Sequence, residues 1–453
     1  MAKPKTLFYC QNCGTSYSKW QGKCTSCNQW ETIVEEIIAR ETTQSLWRDK
    51  KSKQAKAIRI DEINDENNAP RYETSSYEFN RVLGGGIVAG SVILVGGEPG
   101  VGKSTLLLQV ALTMPIKTLY ISGEESEHQI KMRADRVRKN KQSNCLVFTE
   151  TNTQKIFSQI KSIQPQLVIV DSIQTMYSET IEASSGSISQ IRQCASEWID
   201  YSKKSNTPVM LIGHITKEGN IAGPKIMEHM VDVVLQFEGD RNHLFRTLRA
   251  YKNRFGSTAE LGLYEMAQGG LREISNPSQV LISKHENLLN GTAISSIVEG
   301  IRPFMIEVQA LVSVAIYGTP QRSSTGFNVK RLHMLLAVLE KRVGFKLATK
   351  DIFLNITGGI TVNDPAIDLA VIMAILSSNE NINIGSHFCF AGEVGLSGEI
   401  RSVPKIDQRV NEAEKLGFKN IFLSKYNNIS TTPKKINIQQ VSNIEEAVKF
   451  LYK

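Results

Sequence analysis

Gly97-Glu98-Pro99-Gly100-Val101-Gly102-Lys103-Ser104 has the glycine, four-residue gap and Gly-Lys-Ser spacing of a phosphate-binding loop. Its flanks decide the fold. Ser91-Val92-Ile93-Leu94-Val95-Gly96 reads as a buried strand and Lys103 to Thr113 as a helix, so the motif occupies the strand-to-helix turn its chemistry requires. The glycines let backbone N–H groups approach phosphate oxygens, and the helix that follows directs its positive end at the same place. Lys103 then serves the terminal phosphates and Ser104 offers a hydroxyl to Mg2+, which makes ATP and Mg2+ the expected ligands.

Working outward, the 453 residues are enough for two or three domains, at roughly 150 residues per domain. The strongly apolar stretches, such as Ile367 to Leu376, fall short of the roughly 18 to 20 residues that span a membrane. Met1-Ala2-Lys3-Pro4-Lys5-Thr6 runs into a Cys-rich segment without a long apolar core, so the expectation is a cytoplasmic chain with no secretory signal. A formal charge of +8 and a pI near 9.0 suit a polyanionic partner without identifying one.

Cys10, Cys13, Cys24 and Cys27 form two Cys-x-x-Cys pairs separated by ten residues. Four thiolates from two turns close a tetrahedron about one Zn2+, and so short a segment has too little apolar area to fold without such a staple. Two disulfides are the competing reading, which a reduced cytoplasm disfavours. Cys145, Cys194 and Cys389 are dispersed in apolar or helical surroundings and read as small buried hydrophobes. Residues 31–70 are polar, end at Ala69-Pro70, and read as a linker. Its basic portion, Arg48 to Lys56, is either a solvated charge run or a DNA contact.

Beyond the phosphate loop, strands and helices alternate, the sign of a parallel sheet covered on both faces. Strands are expected at Thr118 to Ser122, Cys145 to Thr149, Leu167 to Asp171 and Val209 to Gly213, then as a hairpin near Val231 to Phe237 and Leu244 to Tyr251. Asp171 closes an apolar strand at the sheet's carboxyl edge, where it can hold Mg2+ through water. Tyr120-Ile121-Ser122 runs into Gly123-Glu124-Glu125 at the same edge. Glu124 is the candidate base for the attacking water, although both glutamates also suit the positive start of the next helix.

Two loops leave this edge, Ser172 to Ser189 and Gly213 to Lys225. They read either as flexible grips on a phosphodiester backbone, using Lys217 and Lys225, or as ordinary surface loops. His214 is either a sensor of the terminal phosphate or a structural histidine. Lys252 and Arg254 stand one residue apart on an outgoing strand, so both point to one face. They lie too far along the chain for firm assignment to their own subunit's nucleotide, and completion by a neighbour is usual in ring ATPases. In the tail, helices are expected at Val329 to Arg342 and Pro365 to Ser378, the second keeping Ala366, Leu369, Ala370, Met373 and Ala374 on one apolar face. Lys330, Arg331, Lys341, Arg342 and Lys346 form either a DNA-facing surface or a solvated helix face.

With the four cysteines, Gly97 to Ser104 and Lys252-Asn253-Arg254-Phe255-Gly256 assembled, the chain resembles, over essentially its whole length, the bacterial RadA (Sms) family of RecA-like recombination and repair ATPases. The resemblance implies an α/β chain with a four-cysteine zinc ribbon at 1–30, a linker at 31–70, a RecA-like ATPase core with a mainly parallel sheet at 71–269, and an α+β Lon-protease-like domain at 270–453. It implies DNA-dependent ATP hydrolysis driving branch migration in homologous recombination and repair. It also implies a homo-hexamer, single-stranded and branched DNA, and a RecA-type recombinase as partner. By residue, nucleotide binding falls to Gly97, Glu98, Pro99, Gly100, Val101, Gly102, Lys103, Ser104 and Thr105, and catalysis to Lys103, Glu124, Asp171, Lys252 and Arg254. Ser104 and Asp171 hold magnesium, and Cys10, Cys13, Cys24 and Cys27 hold zinc.

Around Asn363-Asp364-Pro365-Ala366, and again from Gly398 to Phe418, the tail resembles a Lon domain with departures. Ala366 stands where that family's nucleophilic serine follows the proline. An ungapped comparison puts Asp407 at the partner lysine, with Lys405 two positions away. The expectation is a scaffold that cleaves no peptide bond. An ATP-driven protease or proteolysis adaptor remains the second functional class, and the two differ in whether single-stranded DNA or unfolded protein raises the ATPase rate.

Overall fold

A computed structural model of the chain describes residues 5–10, 15–26, 28–38, 59, 71–138, 143–213, 226–239, 245–282, 289–315, 318–430 and 433–450. The chain divides into two units, Met1–Arg241 with Arg246–Glu273, and Asn242–Phe245 with Ile274–Lys453. Among the described residues no helix is long and apolar enough to cross a membrane.

The first residues form a small antiparallel sheet of β1 (Lys5–Cys10), β2 (Ser16–Tyr17) and β3 (Ile33–Ile38), ordered β2-β1-β3. Cys10 pairs with Ile33, so this sheet takes in residues that composition alone places in the linker. Glu35 and Glu36 interrupt the apolar run, but β-branched Ile33, Val34, Ile37 and Ile38 favour extended chain.

The larger sheet of the first unit contains β4 (Val92–Gly97), β5 (Thr118–Ser122), β6 (Cys145–Thr149), β7 (Leu167–Asp171), β8 (Val209–Ile212), β9 (Val233–Glu238), β10 (Phe245–Asn253), β11 (Leu261–Ala267) and β12 (Gly270–Glu273). Its order is β12-β11-β10-β9-β4-β8-β7-β5-β6. From β6 to β9 every pairing is parallel, and β9/β10 and β11/β12 are antiparallel. Side chains that alternate along a strand face opposite sides, and the core follows that rule. Ile93, Val95, Tyr120, Ile169 and Met210 join one apolar cluster, while Val92, Leu94, Leu119, Ile121, Val168 and Leu211 join another.

Helices cover both faces. α1 (Tyr77–Leu83), α2 (Lys103–Thr113) and α3 (Glu127–Val137) send residues into the first cluster, and α4 (Thr153–Ile163) and α5 (Ile188–Ser205) into the second. On that second side Phe157 and Trp198 meet with ring centroids 4.8 Å apart, a contact that contributes about 0.5–1.5 kcal/mol beyond its buried area.

The tail is built on a seven-stranded sheet of the described residues: β13 (Thr292–Glu299), β14 (Arg302–Val314), β15 (Arg322–Thr325), β16 (Lys350–Ile356), β17 (Phe388–Ala391), β18 (Asn420–Ser424) and β19 (Asn437–Val441). The order is β15-β16-β14-β13-β17-β18-β19. Helix α7 (Val329–Val338) starts at Asn328, whose side chain accepts the N–H groups of Lys330 and Arg331, and continues as a π turn through Leu339–Val343. Helix α8 (Asp368–Glu380) differs from the expectation of one apolar face, because Asp368 through Ser377 are all buried. It packs on β14, β13 and β17 and also meets α7, so it is enclosed on more than one side. Arg331 likewise leaves the expected basic surface, since its guanidinium pairs with the buried carboxylate of Asp368, while Lys330, Lys341, Arg342 and Lys346 are exposed.

Candidate nucleotide site

Strand β4 ends at the phosphate loop and α2 begins at Lys103, as the spacing requires. Gly102 caps the helix at φ 112, a left-handed conformation that glycine adopts without strain. Lys103 is buried, and its ammonium donates to the carbonyl oxygens of Gly97 at 2.7 Å and Glu98 at 2.9 Å. Burial lowers its pKa to about 8, opposed by the negative charges of Asp171, Glu124 and Glu98. One cation and three carboxylates therefore act on each other at this edge.

Sheet register brings the carboxylates there. Val170 and Leu94 both pair with Leu211, so Asp171 is level with Val95, near the end of β4. Ser122 pairs with Asp171, which puts Glu124 two residues past the same level. Gly123 leads the chain from β5 against Thr175, whose side chain leaves no room for a Cβ. Its N–H donates to the Asp171 carbonyl at 2.9 Å. Ser126 then opens α3 with a reciprocal capping box, its N–H donating to Gln129 Oε1 at 2.9 Å.

The two neighbouring glutamates have different surroundings. Glu125 is ion-paired with Arg133 and its N–H donates to Ser122 Oγ at 3.0 Å. Burial raises its pKa, with Arg133 opposing. Glu124 instead accepts the hydroxyl of Ser172, the residue after Asp171. Tyr120, on β5, donates its hydroxyl to Asp171 Oδ2 at 2.6 Å. Sequence reading missed both hydroxyls, and its only hint was a tyrosine standing inside an otherwise apolar strand. A serine hydroxyl at Ser104 and a carboxylate at Asp171 are hard oxygen donors, and they fit Mg2+ in chemistry.

Lys252 and Arg254 lie elsewhere. Val233 pairs with both Asn253 and Ile93, so these cations are level with the beginning of β4, across the intervening β9, roughly 13 Å along the strand direction from Gly97 at about 3.3 Å per residue. The ammonium of Lys252 donates to the carbonyls of Glu228, His229 and Val231 at the end of helix α6 (Ile226–Met230). Arg254 is half-exposed and pairs with Asp232 at 3.2 Å, the buried carboxylate that also holds Lys203 at 2.6 Å.

The loop from Ser172 to Ser189 is more tightly held than a flexible grip. Glu197 accepts Ser178 Oγ and Thr153 Oγ1, each at 2.6 Å, and Gln190 Nε2 donates to the carbonyls of Ser178, Ile181 and Ala183. Only Glu179, Glu182 and Ser184 to Gly186 are exposed. His214, Lys217 and Lys225 lie outside the described residues.

In the ribbon, Cys10 and Cys24 are fully buried and share one apolar cluster with Ile33. Two thiols from the two halves of the four-cysteine pattern thus converge, which fits a shared Zn2+. Cys13 and Cys27 lie outside the described residues. In the tail, Ala366 is buried and Asp407 accepts the Ser430 N–H at 2.9 Å. The ammonium of Lys405 is engaged by the Gly300 carbonyl.

A family model described as an AAA domain matches residues 68–220, one described as subunit ChlI of Mg-chelatase matches 307–427, and one described as a rubredoxin metal binding domain matches 8–35. Among curated relatives, a DNA repair protein RadA of Bacillus subtilis (strain 168) is 46% identical over 99% of this chain and 99% of its own. A protein of the same name from Listeria monocytogenes is 45% identical over 99% of this chain and 98% of its own. A solved RadB recombinase covers 45% of this chain and all of its own at 22% identity and a TM-score of 0.37.

Proposed function

The chain belongs to the DNA repair protein RadA family, and on that premise we propose that it is a DNA-dependent ATPase of homologous recombination and repair, driving branch migration as a homo-hexamer alongside a RecA-type recombinase. The observation that carries the hydrolytic part is the meeting of Lys103, Asp171 and Glu124 at the phosphate-loop edge of one sheet. Residues Gly97 to Thr105 bind the nucleotide, with backbone N–H groups and the start of α2 facing its phosphates. Ser104 and Asp171 hold Mg2+, which when bound supplies charge neutralisation at the phosphates. Lys103 adds a positive charge there, and Glu124 orients the attacking water and takes its proton.

Lys252 and Arg254 act on the nucleotide of a neighbouring subunit. Support comes from register: they stand at the amino end of β4, away from their own phosphate loop. The ribbon holds one Zn2+ through Cys10, Cys13, Cys24 and Cys27. Division of the chain into ribbon, linker, ATPase core and tail belongs to the same proposal, with the linker beginning after the ribbon strand Ile33–Ile38 and the later boundaries near 70 and 269. The tail is a non-peptidase scaffold, since Ala366 has no hydroxyl to attack with and Asp407 stands for the lysine. The test is ATPase rate with and without single-stranded DNA. Stimulation by DNA and loss of turnover in Glu124→Gln with ATP binding retained are the expected results. Stimulation by unfolded protein instead would favour the proteolytic reading.

A further inference from the structure

We propose that Tyr120 and Ser172 are positioning residues of the hydrolytic site, Tyr120 aiming the carboxylate of Asp171 and Ser172 aiming that of Glu124. The inference rests on the roles given above to Asp171 and Glu124. Strands β5 and β7 are parallel neighbours with Ser122 opposite Asp171, so their exits leave the sheet side by side. Consecutive residues of one exit each meet the other strand's chain: Asp171 accepts the Tyr120 hydroxyl at 2.6 Å, and Ser172 donates its hydroxyl to Glu124 Oε1. The Gly123 N–H to the Asp171 carbonyl closes the same junction through backbone.

Both hydroxyls are buried. Tyr120 lies in the apolar cluster with Ile93, Val95 and Leu107, where phenylalanine would pack as well and where an unpartnered hydroxyl would be costly. Its oxygen is therefore accounted for by Asp171. The terminal torsion of a carboxylate is soft, and a charge-assisted hydrogen bond from a buried hydroxyl fixes the position of one oxygen. Such preorganisation matters where a displacement on the order of 1 Å costs on the order of 100-fold in rate.

Ser172→Ala and Tyr120→Phe each remove one hydroxyl and keep nearly the same volume. In the full chain, Ser172→Ala should lower kcat about 10- to 100-fold, the range for a lost hydrogen bond to a charged group, with KM for ATP and the thermal midpoint unchanged. Tyr120→Phe should raise the Mg2+ concentration at half-maximal rate about tenfold and recover most of kcat at saturating Mg2+. Wild-type hydrolysis by Glu124→Gln would remove the base assignment, and with it the role of Ser172. If Glu124→Gln is inactive but Ser172→Ala keeps wild-type kcat, the positioning role of Ser172 is wrong while the base stands. Unchanged Mg2+ dependence in Tyr120→Phe removes Tyr120 in the same way. A fall in thermal midpoint with kinetic constants intact marks either residue as structural and overturns its part.

Discussion

At the phosphate-loop edge Lys103 is buried against loop carbonyls, with Asp171, Glu124 and Glu98 near enough to raise its proton affinity against the cost of burial. In the tail, Arg409 is buried just as deeply but makes a closed set of partners: Asp364 at 2.7 Å and the carbonyls of Ser296 and Pro404. Asp364 in turn accepts the N–H groups of Val298 and Ala366 at 2.8 and 3.0 Å. Both regions place a cation and a carboxylate near the start of a helical segment. In the first, the carboxylates are groups the proposed reaction uses. In the second, cation and carboxylate neutralise each other and satisfy local backbone, beside an alanine without a nucleophilic atom. Buried charge by itself thus does not mark a reaction site; what its partners do elsewhere decides.

The largest effects should come from breaking the first region. Lys103→Ala should abolish turnover, and Arg254→Ala, removing the cation proposed to reach this edge in a neighbouring subunit, should lower it by on the order of 10³ to 10⁵. Mixing the two inactive proteins in exchanging oligomers should restore some activity, because an intact site forms at mixed interfaces. Absence of recovery would count against action on a neighbour.

Breaking the second region should cost stability and leave the chemistry alone. Arg409→Met strands the Asp364 carboxylate in the interior, a loss of about 3–5 kcal/mol. Urea denaturation should show the tail unfolding earlier while nucleotide affinity, measured by titration with a fluorescent ATP analogue, holds. A matching loss of ATP affinity would refute the separation drawn between the two regions.

A smaller effect follows from pH. Lys103 has a folded pKa of about 8, below its ordinary 10.5. Below about 8 the ammonium is charged in both folded and unfolded states, and its burial costs stability. From about 8 to 10.5 the unfolded chain binds more protons at this site, so the contribution of Lys103 to stability rises with pH. The urea midpoint of the wild type should therefore rise relative to Lys103→Met across this window, and ATP affinity should fall as the lysine loses its charge. A flat difference between the two proteins would place the lysine in a better solvated site. The smallest effect is expected from Ala366→Ser: no peptidase activity on an unfolded casein, because the partner lysine is also absent.

How far the amino-acid pattern reached varies along the chain. Strands Thr118–Ser122, Cys145–Thr149 and Leu167–Asp171 and helix Lys103–Thr113 coincide with their expected bounds, since their apolar runs are short and closed by turn residues, even where, as in the edge strand Cys145–Thr149, Leu146 and Val147 stay exposed. The ribbon strand Ile33–Ile38 was hidden because its glutamates resemble those of a linker. The spacing of Ala366, Leu369, Ala370, Met373 and Ala374 predicts one apolar face for helix α8, while its enclosure by β14, β13, β17 and α7 is a property of the assembled layers. The serines and threonines after Ser172 read equally as a flexible grip or an ordinary surface loop, whereas the hydroxyls of Ser178 and Thr180 find Glu197 from a later helix.

By itself the sequence determined where phosphate chemistry belongs, because Gly97 to Ser104 and its flanking strand and helix depend only on residues next to one another. It also determined what the tail lacks, since a missing hydroxyl at Ala366 needs no coordinates. Tertiary structure alone decided which carboxylate each hydroxyl meets and at which end of the sheet Arg254 stands. Those facts follow from the placement of β5 beside β7 and of β9 beside β4. Strand order is set by the packing of two apolar faces over the whole sheet, a sum of distant contacts that no local periodicity encodes.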